Sequence, residues 1–196
     1  MLDLYFKFIL NDDDTYLGVE YDKRIVEEWI KHNYYFTGKL FISDDLVVDC
    51  SGSVDVRYKN ITSLTNGLFR WGEVGGMFNC SSCGNLTSLE GAPKKVGGDF
   101  WCSACENLTS LEGAPEKVGG CFDCRHCSNL KTLKGAPKKV ERDFSCINCN
   151  NLTSLEGAPE EVRGRFVYSN CPNLKISDSD RRMYEMLDYS IINYIF

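Results

Sequence analysis

The sequence predicts a solenoid of stacked repeats that is built mainly from β-structure. A leucine recurs every 22 residues, at Leu86, Leu108, Leu130, Leu152 and Leu174. The same period separates five valines and five phenylalanines, which are Val74, Val96, Val118, Val140 and Val162, and Phe78, Phe100, Phe122, Phe144 and Phe166. Because this register never slips, each repeat is expected to form one coil of a regular stack.

Each coil is expected to contain one short parallel strand. The alternation of Phe100 and Cys102 places both side chains on one face of that strand. A coil of this length cannot enclose a core, so its neighbours, stacked at roughly 4.8 Å, are expected to cover its apolar side chains. The Gly-Gly before the strand and the Gly-Ala-Pro after it predict corners, since glycine reaches positive φ and proline fixes φ.

The N-terminal part departs from the repeat and predicts an α/β cap over residues 1–45. A stacked array needs such a cap because its terminal coil would otherwise expose strand edges and apolar side chains. A strand is expected over residues 2–10. A helix is expected over residues 22–32, where an apolar stripe recurs with helical spacing. The stripe contains Ile25, Val26, Trp29 and Ile30.

The solenoid itself is expected over residues 46–176. It begins with a degenerate first coil over residues 46–73 and continues with regular coils. The repeat ends after Leu174, where a serine occupies the position of the next leucine. Residues 177–196 then predict a helical C-terminal cap that covers the last coil.

Composition and cysteine content predict a cytoplasmic protein. No apolar run approaches the ~20 residues of a membrane helix, so no membrane association is expected. The N-terminal segment lacks the basic stretch of a signal peptide, and Asp3 and Lys7 interrupt its apolar run, so no signal peptide is expected. Eleven cysteines without an export signal favour a reducing compartment, and the odd number argues against a disulfide framework. The net charge of −6 argues against nucleic acid as a partner.

The cysteines form the clearest candidate chemical motif, because Cys-x-x-Cys pairs recur in four coils. They are Cys80 and Cys83, Cys102 and Cys105, Cys124 and Cys127, and Cys146 and Cys149. Such spacing is typical of structural zinc sites. However, the repeat itself generates this spacing, and in the next coil Tyr168 replaces the first cysteine. We therefore interpret these cysteines as small buried apolar residues and expect no metal and no cofactor. A structural zinc or thiol protein is the alternative.

Catalytic residues are not apparent, and we expect no enzymatic activity. His32 and His126 are the only histidines. His126 lies between Cys124 and Cys127, but neighbours along a strand point to opposite faces, so it is poorly placed to act as a base for either thiol.

The pattern Phe100-x-Cys102-x-x-Cys105-x-x-Leu108-x-x-Leu111 follows that of the leucine-rich repeats, which the chain resembles. The segments LTSLEGAPKKVGGDFWC and LTSLEGAPEKVGGCFDC are similar to short repeat proteins of tailed phages, over about residues 46–176. The resemblance implies a solenoid and a phage source, but no catalytic residues and no common function. This chain departs from that pattern where asparagine is usual, at Cys83, Cys105, Cys127, Cys149 and Cys171.

The outward face of the strands is the candidate binding surface, because its residues vary from coil to coil while the inward ones do not. The predicted contact residues are Met77, Asn79, Asp99, Trp101, Asp123, Arg125, Asp143, Ile147 and Arg165. Trp101 is the leading candidate, since tryptophan is enriched in binding hot spots.

The predicted function is therefore a non-enzymatic protein-binding module that is monomeric or weakly homodimeric. The resemblance extends this expectation to a phage-encoded protein that inhibits a host factor, such as an antiviral-defence protein. Besides the zinc or thiol alternative, a small-ligand trap at the N-terminal cap is a further alternative. Aromatic and acidic residues cluster in sequence there, at Tyr34, Tyr35, Phe36, Asp44 and Asp45.

Overall fold

A computed structural model describes residues 8–10, 16–19 and 23–176, with the backbone alone for the first two ranges. The chain forms a mainly-β solenoid of about six turns in which short strands pair in parallel from coil to coil. Most strands contain two residues. In chain order they are β1 (Phe8–Leu10), β2 (Tyr16–Val19), β3 (Tyr35–Phe36), β4 (Leu40–Ile42), β5 (Val47–Cys50), β6 (Val54–Asp55), β7 (Arg70–Val74), β8 (Phe78–Asn79), β9 (Lys95–Val96), β10 (Phe100–Trp101), β11 (Lys117–Val118), β12 (Phe122–Asp123), β13 (Lys139–Val140), β14 (Phe144–Ser145), β15 (Glu161–Val162) and β16 (Phe166–Val167).

Two seven-stranded sheets form two sides of the solenoid. The Phe sheet has the order β16-β14-β12-β10-β8-β6-β3, and five of its seven strands begin with the repeated phenylalanine. The Val sheet has the order β15-β13-β11-β9-β7-β5-β4, and most of its strands end on the repeated valine. All pairs are parallel except β3 with β6 and β4 with β5.

The predicted solenoid and its Phe-containing parallel strand are confirmed. The Val sheet was not predicted from the sequence, and it forms because each coil contributes a second short strand. A third line of coil-to-coil hydrogen bonds follows the leucine segment, where Lys131 N donates to Thr109 O and Thr153 N donates to Lys131 O, both at 3.1 Å. Backbone hydrogen bonds therefore join neighbouring regular coils on three sides.

The core is a column of repeated side chains between the two sheets. Phe78, Phe100, Phe122, Phe144 and Phe166 stack ring on ring, with centroids 5.1–5.6 Å apart and planes within 8° of parallel. The repeated valines, the Cys-x-x-Cys cysteines and the repeated leucines except Leu174 are likewise buried, and Leu174 is half-buried. This confirms the inward positions that the sequence predicts. Burial of such side chains stabilises a fold by about 1.5–3 kcal/mol each.

Two kinds of corner close each coil. The Gly-Ala-Pro corners have the predicted positive φ, with values of +81° to +88° at Gly91, Gly113, Gly135 and Gly157. A second left-handed position follows the Phe-sheet strand and is occupied by residues other than glycine. These include Ser82, Ala104, His126 and Asn148, with φ of +55° to +60°. Their N–H groups donate to the next coil, which offsets the strain of this conformation.

The N-terminal region contains α1 (Lys23–Asn33), close to the predicted helix. Val26 and Ile30 on this helix are fully buried, and Trp29 makes edge contacts with the rings of Tyr34 and Phe69. The β1–β2 pair is antiparallel and includes part of the strand predicted over residues 2–10. The C-terminal cap predicted at 177–196 lies outside the described residues. Within the described part of the chain, no helix has the length and apolar character needed to cross a membrane.

Candidate binding surface on the Phe sheet

The outward residues of the Phe sheet form regular rows that run across the coils. The Trp101 row is fixed by strand register and follows the residue after each phenylalanine. From the N-terminal end, it contains Tyr35, Asp55, Asn79, Trp101, Asp123, Ser145 and Val167. Two residues further along each strand lies the Arg125 row. It contains Arg57, Ser81, Ser103, Arg125, Ile147 and Ser169.

A third row precedes the phenylalanines. Phe78 N donates to Asp99 O, and the same pattern continues through the later coils at 2.8–2.9 Å. This row contains Met77, Asp99, Cys121, Asp143 and Arg165. All nine predicted contact residues therefore lie on the three outward rows of one sheet.

Exposure divides the predicted contact residues into three groups. Arg125 and Arg165 are exposed. Asn79 and Asp123 are buried, although both lie on the outward face. The reason is local: Asn79 Oδ1 accepts a hydrogen bond from Ser81 N, and Asp123 Oδ1 accepts one from Arg125 N, both at 3.0 Å. The half-buried group comprises Met77, Asp99, Trp101, Asp143 and Ile147.

Arginine–aspartate pairs organise the charge on this face. Arg125 Nε lies 2.9 Å from both carboxylate oxygens of Asp123, and Arg125 Nη2 donates to Oδ2 at 2.7 Å. This carboxylate raises the pKa of Arg125. Arg57 Nε contacts Asp55 Oδ2 at 3.0 Å in the first coil. Arg165 donates to Asp143 Oδ2 from Nε at 3.0 Å and from Nη2 at 2.6 Å. Partial burial opposes the shift, but these hydrogen bonds lower the pKa of Asp143.

Arg57 and Asp55 were not predicted as contact residues. The first coil is degenerate, and its Phe-sheet strand is offset by 24 residues from the next instead of 22. A signal is nevertheless present, because Asp55-Val56-Arg57 repeats the Asp-x-Arg pattern of Asp123-Cys124-Arg125. Two exposed tyrosines accompany this pair, namely Tyr35 and Tyr58.

The second cysteine of each pair, together with Cys171 at the same position of the last coil, forms a ladder of thiol hydrogen bonds. Its Sγ donates to a carbonyl oxygen of the preceding coil at 3.2–3.3 Å. The donors are Cys83, Cys105, Cys127, Cys149 and Cys171, and the acceptors are Val56, Cys80, Cys102, Cys124 and Cys146. In each of these coils, therefore, a thiol satisfies a backbone carbonyl of the core.

The core thiols differ in the direction of their pKa shifts. Burial raises the pKa of Cys102, Cys127 and Cys146 well above the usual value for a thiol. Side-chain hydrogen bonds lower the pKa of Cys105 and Cys149, although burial opposes that shift. Thiolate, not thiol, is the form that binds a metal ion. Among the described residues, no group of three or more Cys, His, Asp or Glu side chains is arranged to hold one. All eleven cysteines are free.

The residues of the proposed small-ligand trap are distributed over the N-terminal region. Tyr34 is buried and its hydroxyl donates to Leu64 O at 2.7 Å, whereas Tyr35 is exposed on the Phe sheet. Asp44 pairs with Lys23 at 2.5 Å, and Asp45 pairs with Arg70 at 2.9 Å. These contacts direct the aromatic and acidic side chains to different partners.

Comparison of the chain with protein-family models, with curated proteins and with solved structures gives no match.

Proposed function

We propose that this chain is a non-enzymatic binding module that contacts another protein through the outward face of the Phe sheet. The observation that carries the proposal is the contrast between the two faces of one sheet. Phenylalanine recurs at the inward position in five successive strands, whereas the Trp101 row carries a different residue in each of those strands. Solenoids use such extended surfaces for binding, and Trp and Arg are enriched in binding hot spots.

The resemblance to phage repeat proteins supports a more specific proposal. We infer a phage-encoded protein that acts in the host cytoplasm and inhibits a host factor, for example one of antiviral defence. This step rests on the resemblance alone. The α/β N-terminal cap and a helical C-terminal cap belong to the same proposal, since both ends of a stacked array need covering.

Affinity capture from host-cell lysate tests the proposal. The bait is compared with its Trp101→Ala variant and with Lys117→Ala, which removes an exposed side chain from the Val sheet. We expect one protein to be retained by the parent chain and by Lys117→Ala, and to be lost with Trp101→Ala. Undiminished capture by Trp101→Ala removes this residue from the binding surface. Zinc content measured on the same bait tests the zinc alternative, which tightly held zinc would support.

A further inference from the structure

The charged groups that a partner reaches first on the Phe sheet are cations. The side chain of Arg57 is 52% exposed and that of Arg125 is 48% exposed. The carboxylates that hold them lie beneath, since the side chain of Asp55 is 16% exposed and that of Asp123 is 12% exposed. A partner therefore meets two guanidinium groups before it meets their counterions.

These guanidinium groups are held in position before any partner arrives. Arg125 directs Nε and Nη2 to Asp123, so its Nη1 donors remain for an incoming acceptor. Arg57 contacts Asp55 through Nε. A planar guanidinium that is already oriented loses less conformational entropy on binding, and its geometry matches a carboxylate.

The spacing of the two arginines defines a trough. Arg57 and Arg125 belong to one row, with Ser81 and Ser103 between them, and the two serine hydroxyls are 3.0 Å apart. Three strand spacings of about 4.8 Å separate the arginines by about 14 Å. The arginine trough, defined as Arg57, Ser81, Ser103 and Arg125, thus has a cation at each end and small side chains along its floor.

We infer that the partner segment bound by this sheet is an extended acidic peptide whose two carboxylates, four residues apart, pair with Arg57 and Arg125. This inference rests on the proposed function. An extended chain rises about 3.3–3.4 Å per residue, so side chains at positions i and i+4 lie about 13–14 Å apart on the same face. The side chain at i+2 lies over the serine floor, next to the row that contains Trp101.

Charge distribution favours a peptide over a nucleic acid. A phosphate backbone carries a charge at every nucleotide, whereas the trough provides cations at its ends and serines between them. Asp99 lies on the same face and would repel a phosphate bound between the two arginines. Two carboxylates with a neutral residue midway suit this arrangement, because each pairs with one guanidinium.

A peptide-binding experiment tests the inference directly. The probe is a short fluorescein-labelled peptide with glutamates four positions apart and valine midway, measured by fluorescence anisotropy. Its control has glutamine at both positions. We expect the glutamate peptide to bind the parent chain about tenfold more tightly or better. Arg57→Gln and Arg125→Gln should each remove one of the two ion pairs and thus reduce the affinity for the glutamate peptide part of the way toward that for the glutamine peptide. Arg163→Gln, at an exposed arginine that follows the Val sheet, should leave the affinity unchanged.

Three results would overturn the inference. The first is equal affinity for the two peptides, which includes no binding of either up to about 1 mM. The second is unchanged affinity for the glutamate peptide in both trough variants. The third is tighter binding of a fluorescein-labelled oligothymidylate than of the glutamate peptide. Circular dichroism of each variant verifies that it remains folded. Lysate capture separates this inference from the proposed function. A partner lost with Trp101→Ala but retained by both trough variants would refute the acidic-peptide inference and leave the binding module standing.

Discussion

The thiol ladder gives a quantitative prediction at Cys127. This side chain is fully buried, and its Sγ donates to Cys102 O at 3.2 Å. Among the described residues, no backbone N–H donates to that carbonyl. Cys127→Val keeps an apolar side chain of similar size but removes the donor, so a buried acceptor loses its partner.

The expected loss follows from the cost of an unsatisfied buried group, which is about 1–3 kcal/mol. A thiol is a weak donor, so we expect the lower half of this range, about 1–2 kcal/mol of unfolding free energy. For a chain of this length the loss lowers the melting temperature by roughly 2–4 °C per kcal/mol.

Cys102→Val provides the matched control. Cys102 is also fully buried in the same column, and it has no side-chain hydrogen bond within the described structure. Both variants receive the same extra methyl group, so the difference between them isolates the thiol donor. Urea and thermal unfolding under reducing conditions measure both. Equal stability of the two variants would refute the role that we assign to the ladder thiols.

Three further predictions concern the coil stack. Gly119→Ala should lower the unfolding free energy by about 1–3 kcal/mol, because the added Cβ would overlap the carbonyl of Gly97 in the preceding coil; Gly84→Ala, where nothing lies within 4 Å, should not. Equal urea midpoints for these two variants would contradict the close packing of the corners. Phe122→Ala should lower the unfolding free energy by about 3–5 kcal/mol, since the Phe122 ring stacks on the rings of Phe100 and Phe144 with centroids 5.2 Å apart. A loss below about 1 kcal/mol in urea unfolding would argue against the stack. Burial raises the pKa of Cys83 to about 11, so the folded state keeps a proton that the unfolded state releases from about pH 8.5. The contribution of this thiol to the free energy of unfolding is therefore fully present below about pH 8.5 and falls by about 1.4 kcal/mol per pH unit toward pH 11. Equal urea midpoints at about pH 8 and pH 10 would exclude this linkage.

The residues that face the core could be predicted from the sequence, because close packing restricts the size and shape of the side chain at each of these positions. Phe100, Cys102 and Leu108 recur in register, and only an inward position demands the same shape in every coil. The helix at Lys23–Asn33 was equally accessible, because Val26 and Ile30 give it an apolar stripe.

The second sheet could not be predicted from periodicity. Its strands in the regular coils are two residues long, as in Lys95–Val96, which is too short for an alternating pattern. Their pairing is imposed by the stacking of the coils. The left-handed corner could not be predicted either, since alanine has no intrinsic preference for positive φ. Ala104 nevertheless adopts +55°, and its N–H donates to Arg125 O in the next coil.

The outward positions of the candidate surface were predicted from the sequence, but the burial of individual side chains on it was not. Alternation identifies the outward positions correctly, yet it does not show that Asn79 and Asp123 fold back onto their own strands. That depends on local hydrogen bonds to the residue two positions later. The position of Arg57 on this face was missed because the first coil is longer than the others, although its Asp-x-Arg pattern matches the one at Arg125.

Site-specific photo-cross-linking tests the central claim most directly. The photoreactive amino acid p-benzoylphenylalanine is introduced in place of Ile147 on the outward face of the Phe sheet, or in place of Lys117 on the Val sheet, and Trp101 is kept in both proteins. Each protein is irradiated in cell extract. The proposal predicts a discrete cross-linked protein from position 147 and none from position 117. Cross-linking from position 117 alone would contradict it, because the binding surface would then lie on the other sheet.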